Sequence, residues 1–125
     1  DLSSDLIFIS ATLKGKRGSS KDIQHKINSL VEKKKKDQPS KIKTCGSTFK
    51  NPEGNKAWKL IKDSGCSEMA VGDASISKKH CNFFINNGSA KASDIEKLIN
   101  KVKKEVQNKT GVNLELEIKI IGDEV

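Results

Sequence analysis

The run from Ser93 to Gly111 constrains this chain more than any other. Ile95, Leu98, Ile99, Val102 and Val106 recur at three- and four-residue spacing, which places them on one helical face. Ser93 followed by Glu96 has the spacing of a capping box, and Gly111 is a natural stop. Directly afterwards, in NLELEIKII, Leu114, Leu116, Ile118 and Ile120 alternate with Glu115, Glu117 and Lys119. That period of two marks a strand with one buried face. A one-sided helix and a one-sided strand each need a neighbour, so the chain has to build a layered α+β core.

The rest of the sequence fills in the order. LIFISATL, Leu6 to Leu13, is rich in β-branched and aromatic residues and stops at Gly15, which predicts a largely buried strand. After GKRGSS, Ile23, Ile27, Leu30 and Val31 fall at helical spacing, with Ser19 or Ser20 as N-cap. The helix ends in Lys33 to Lys36, a run that complements a helix C-terminus and is short for a nucleic-acid tract. Pro39 blocks any continuation, and DQPSKIKT reads as a polar connector. Ala57, Leu60 and Ile61 predict a short helix closed by Gly65, with Trp58 at its edge. Met69 to Val71 and Cys81 to Ile85 read as short strands, the second followed by an NNG turn. The predicted order β, α, α, β, β, α, β gives a small mixed sheet packed with two to three helices.

Composition narrows the class of partner. The chain has 125 residues and a formal charge of +8, from 24 basic and 16 acidic residues, which favours anionic ligands. Four Phe, one Trp and no Tyr give no aromatic-basic interleaving for stacking on bases, so nucleic acid is disfavoured. No apolar run approaches the roughly 20 residues of a membrane span. Cys45, Cys66 and Cys81 are odd in number and widely spaced, which suits a reducing compartment better than a disulfide framework. The first residue is Asp1 rather than Met, and the reading is of a piece of a longer protein.

Single residues do not identify an activity. In CGSTFKNP, Ser47 beside Gly46 lies where backbone can approach a ligand and a hydroxyl can donate a proton, but such material also makes ordinary turns. Glu117 has the pattern of a solvated strand residue. His80, in SKKHCNF, suits anion binding, pH sensing or a loop end equally.

Whole phrases in order say more. CGSTFKNP, GNKAWKLIKDSGC, ISKKHCNFFINNGSAKASDIEKLINKVKKEV and GVNLELEIKIIGD resemble the C-terminal domain of the UDP-N-acetylenolpyruvoylglucosamine reductase (MurB) family, flavoenzymes of bacterial peptidoglycan synthesis. The upstream DLIFISATLKG and DQP resemble the tail of that family's flavin-binding region and its lead into the substrate domain. The resemblance implies residues 1–40 as the end of the FAD-binding region with its connector, and 41–125 as the substrate-binding domain.

It also implies a cytoplasmic reaction. NADPH reduces FAD, hydride passes to the enolpyruvyl double bond of UDP-N-acetylglucosamine-enolpyruvate, and a proton completes UDP-N-acetylmuramate. Ser47 is then the implied proton donor and Glu117 the second catalytic residue. Asn51 and His80 match substrate-contacting positions, and Lys50 stands where a cation meets substrate charge. The family pattern places FAD mainly on a domain this sequence lacks, so the chain by itself is expected to be inactive. Asp73 replaces a usual glycine and Lys34 a frequent arginine. The lack of an insertion between Asn51 and the Trp58 helix resembles the shorter family subtype. Two other classes fit the composition: a basic nucleic-acid module, and a stand-alone domain for a UDP-sugar or a protein partner. The apolar Leu6 to Leu13 strand, left as an edge, also predicts self-association.

Overall fold

The computed structural model describes residues 6–39 and 42–122 and divides the chain into two units, residues 1–32 and 33–125. In the first unit, residues 6–19 take no regular secondary structure, and Leu6, Ile7, Phe8, Ile9 and Leu13 are exposed. The strand expected at Leu6 to Leu13 is therefore absent. Strand propensity becomes a strand only when a neighbour takes up its backbone groups, and none of the described strands pairs with it.

Helix α1 (Ser20–Asp37) begins in the first unit, where the hydroxyl of Ser19 accepts the Asp22 N–H at 3.4 Å. Lys34, Lys35 and Lys36 occupy its last turn, as the dipole favours. Its apolar stripe of Ile23, Ile27, Leu30 and Val31 is uncovered.

The second unit carries a sheet of β1 (Lys43–Ser47), β2 (Ala70–Val71), β3 (Ala74–Ile76) and β4 (Phe83–Asn86) in the order β1-β4-β3-β2. Every pair is antiparallel rather than mixed. Helix α2 (Ala57–Asp63) and helix α3 (Ala92–Thr110) complete the α+β architecture. Helix α3 lays Leu98, Ile99, Val102 and Val106 against the sheet and α2, and Phe49, Ala57, Ile61 and Leu114 close the core. Phe49 and Phe84 meet edge to face, with centroids 5.8 Å apart.

Several boundaries move, each for a local reason. β1 lies where a connector and turn were expected, because Thr44 and Lys43 find partners on β4 despite their polar side chains. The second short strand starts at Phe83, since Ser77 and His80 close the preceding turn through backbone bonds. Residues 40 and 41, where the connector and the implied domain boundary fall, lie outside the described residues. α3 is capped two residues early: the N–H of Lys91 donates to Asp94 Oδ2 at 3.0 Å, and Ser93 falls inside the helix. At the far end Gly111 adopts the left-handed conformation, φ 72°, and its N–H donates to Gln107 C=O. The closing segment keeps its alternation, with Leu114 buried and Leu116 and Ile118 half-buried, but joins its neighbour through one bridge, Phe49 to Leu116.

Candidate functional site

The Ser47 segment is held from two sides. Gly46, at φ 89°, sits in the irregularity that breaks the β1–β4 register between Thr44 and Ser47, and Ser47 pairs with Phe83 at the strand's end. On one side the chain meets the closing segment: Lys50 N–H donates to Glu115 C=O and Glu117 N–H donates to Thr48 C=O, both at 2.9 Å. On the other it meets Asn82, whose backbone C=O accepts the Thr48 N–H at 2.8 Å. The Asn82 carboxamide also accepts the Phe49 N–H at 3.0 Å and donates to the Phe49 C=O at 2.8 Å.

This pairing sets Glu117 opposite Thr48, one position along from Ser47. Ser47 is half-buried, whereas Glu117 is exposed, so its carboxylate keeps its hydration in the free chain. Lys50 and Asn51 follow at the mouth of a recess of about 330 Å³, lined also by Pro52, Glu53, Asn113 and Glu115. Lys50 Nζ lies 3.5 Å from Glu115 Oε2, an exposed pair. Asn51 Oδ1 accepts the Ala57 N–H at 3.0 Å, satisfying a free donor at the start of α2.

His80 lies elsewhere. Its ring meets Phe83 edge to face at 4.8 Å and faces Trp58 at 6.3 Å, and its Nδ1 accepts the Asn82 N–H at 3.3 Å. A nitrogen that accepts cannot carry a proton, so neutral His80 presents Nε2–H. Burial pushes the imidazole below its ordinary value, against an opposing backbone hydrogen bond and the charge of Asp37. The ring lines a groove of about 680 Å³ with Trp58 and the lysines Lys36, Lys62, Lys78 and Lys79. Lys79 Nζ donates to the Lys35 C=O, which ties the end of α1 to this groove.

The residues singled out from the sequence thus fall in three places: Ser47 with Glu117, Lys50 with Asn51, and His80. Ser47 and Glu117 line neither recess, and His80 does not share the recess of Asn51. The residue that ties the first place to the third is Asn82, inside the predicted Cys81 to Ile85 strand, to which the sequence assigned no role. Its signal is a polar side chain buried in the turn before β4, legible only once burial is known. Asp73, at the usual glycine, has a structural use: its Oδ2 accepts the Ser89 N–H and its C=O accepts the Asn87 N–H, fastening two turns.

No cluster of three or more metal-ligating side chains occurs among the described residues, and no described helix is long and apolar enough to cross a membrane. The positive-φ glycines lie singly, Gly46 in the β1 irregularity and the others in turns and helix ends, so the described residues build no glycine-rich cradle for a flavin pyrophosphate.

A small antiparallel sheet backed by a long helix, with the segment after Ser47 held between two others, makes a small α+β domain. Comparison with known proteins gives its family. Residues 38–121 match the family model for the UDP-N-acetylenolpyruvoylglucosamine reductase C-terminal domain, and the chain belongs to that family. It is 52% identical to the UDP-N-acetylenolpyruvoylglucosamine reductase of Pelagibacter ubique, over 97% of this chain and 41% of that protein. The reductase of Parvibaculum lavamentivorans is 47% identical over 94% of this chain and 38% of its own length. Among solved structures, MurB from Thermus caldophilus matches with a TM-score of 0.70 and 36% identity, covering 83% of this chain and 36% of that one. The chain spans about two-fifths of the length of these relatives.

Proposed function

We propose that this chain is the substrate-binding part of a cytoplasmic reductase that converts UDP-N-acetylglucosamine-enolpyruvate to UDP-N-acetylmuramate at the expense of NADPH, in peptidoglycan synthesis. Residues 1–40 are the end of the flavin-binding region and its connector, and 41–125 the substrate domain. FAD, which supplies hydride when bound, is held by the remainder of the protein, because the described residues do not fit it. What this chain contributes is a proton and a pocket.

Ser47 Oγ donates the proton to the carbon next to the one that receives hydride. A serine is a weak acid, and the step is feasible because the enolate it quenches is strongly basic and the locked turn holds the hydroxyl within transfer distance. Glu117 assists beside the substrate carboxylate, where charge develops. Asn51 binds substrate through its amide nitrogen, since its oxygen already serves Ala57. His80 offers Nε2–H, and Lys50 supplies a cation shared with Glu115. The observation that supports the reading is the 2.9 Å bond from Glu117 N–H to Thr48 C=O, which puts the main chain of Glu117 one residue from that of Ser47.

Stopped-flow absorbance of the complete protein tests it. Ser47→Ala leaves flavin reduction by NADPH unchanged and slows reoxidation by the enolpyruvyl substrate by about 10²–10⁴-fold. Ordinary reoxidation in that variant refutes the assignment.

A further inference from the structure

Phe49 is 1% exposed, and its bridge to Leu116 is of the kind whose flanking residues, not Phe49 itself, make the inter-strand bonds. Its own N–H and C=O therefore point the other way. No strand runs there among the described residues. Instead the Asn82 carboxamide, 4% exposed, takes the place of a peptide group: its oxygen accepts the N–H and its nitrogen donates to the C=O. Buried backbone groups left unpaired are costly, so one side chain decides whether the segment after Ser47 holds its path.

The main chain of the same residue completes the arrangement. Asn82 C=O accepts from Thr48, the residue next to Ser47, and Asn82 N–H donates to His80 Nδ1. Four hydrogen bonds from one buried residue thus reach both the serine turn and the imidazole. We propose that Asn82 is a positioning residue that sets the Ser47 hydroxyl and the His80 Nε2–H as one unit for the substrate, its carboxamide standing in for a missing strand beside Phe49. This rests on the reductase reading for what is positioned, and on the structure alone for the clamp.

The test uses the complete holoenzyme carrying Asn82→Leu, of similar size without polar atoms, and Asn82→Asp, which keeps the acceptor for Phe49 N–H and loses the donor to Phe49 C=O. Flavin reduction by NADPH is expected to stay within about twofold of wild type in both, because hydride transfer from NADPH to flavin draws no proton from Ser47. Reoxidation by the enolpyruvyl substrate falls by roughly 100-fold in Asn82→Leu and roughly tenfold in Asn82→Asp, with kcat changed more than KM. A second readout needs no turnover: the Phe49 amide, bonded to the Asn82 carboxamide in wild type, exchanges its hydrogen at least about tenfold faster in Asn82→Leu.

Wild-type reoxidation rates in a folded Asn82→Leu protein overturn the proposal, as do equal losses in both half-reactions. If Asn82→Leu does not fold, Asn82→Asp decides by the same criteria. A wild-type holoenzyme whose flavin the enolpyruvyl substrate does not reoxidise overturns the reductase reading instead, and hydrogen exchange at Phe49 then still accepts or rejects the clamp.

Discussion

Glu117 stands directly across from Thr48, its N–H bonded to the Thr48 C=O at 2.9 Å, so its backbone lies one residue along from that of Ser47. The contact is made by backbone, and its register depends on Leu116 and Phe49 meeting in the core. Glu117→Gln keeps the shape and removes the charge. It is expected to lower reoxidation of the complete enzyme's flavin by about 10²–10³-fold without changing its melting temperature. A rapid-mixing comparison with wild type reads both halves, and an unchanged rate would remove Glu117 from the mechanism.

Asn51 has two uses that substitution can separate. Its oxygen accepts the Ala57 N–H at the start of α2, and its nitrogen has no protein acceptor among the described residues. Asn51→Asp retains the acceptor, so thermal stability holds, while the lost donor weakens substrate binding by about tenfold. Asn51→Ala loses both and lowers stability by about 1 kcal/mol. Calorimetric titration with the enolpyruvyl substrate and thermal melts together distinguish the two. If both variants bind as wild type does, Asn51 serves α2 alone.

What the sequence revealed follows from where each signal resides. α3 was legible because a long one-faced stripe and a terminal glycine are local facts; only its cap shifted, from Ser93 to Lys91 with Asp94. The alternation of Leu114 to Lys119 was legible for the same reason, but whether it forms a ladder depends on the partner, and here one bridge forms. β1 escaped notice because Lys43 and Gly46 disfavour a strand, and pairing with β4 overrides that. Leu6 to Leu13 erred in the opposite direction, with propensity but no ladder. At the site, Ser47 and Glu117 came from phrase resemblance, and their adjacency came only from register. Asn82 was hidden because its role is to replace backbone, which no side-chain motif announces.

His80 gives the domain a pH dependence with a definite sign. Burial lowers its folded value, while Asp37 opposes and the groove around it holds Lys36, Lys62, Lys78, Lys79 and Glu68. The unfolded chain therefore takes up a proton first as pH falls below about 6.5, its ordinary value. The contribution of neutral His80 to stability is complete above that pH and is lost as pH falls through the lower folded value. Denaturant melts between pH 7.5 and 5 are expected to show this loss in the wild type and not in His80→Gln. A His80→Gln protein that loses stability as steeply as wild type over that window would show that other groups control it.

The last prediction concerns the uncovered apolar surface. Ile7, Phe8, Ile9 and Leu13 are 78–95% exposed, and the α1 stripe of Ile23, Ile27, Leu30 and Val31 is uncovered as well. Apolar area left to water favours any association that removes it, by about 25 cal/mol for each Å² covered. This chain by itself is expected to self-associate with rising concentration in sedimentation velocity runs. Ile9→Lys and Ile27→Lys, each introducing a charge at an exposed site, should shift it toward monomer without lowering helix content by circular dichroism. A clean monomer at high concentration in the unsubstituted chain would show that these side chains find cover within one molecule, and the argument from exposed area would fail.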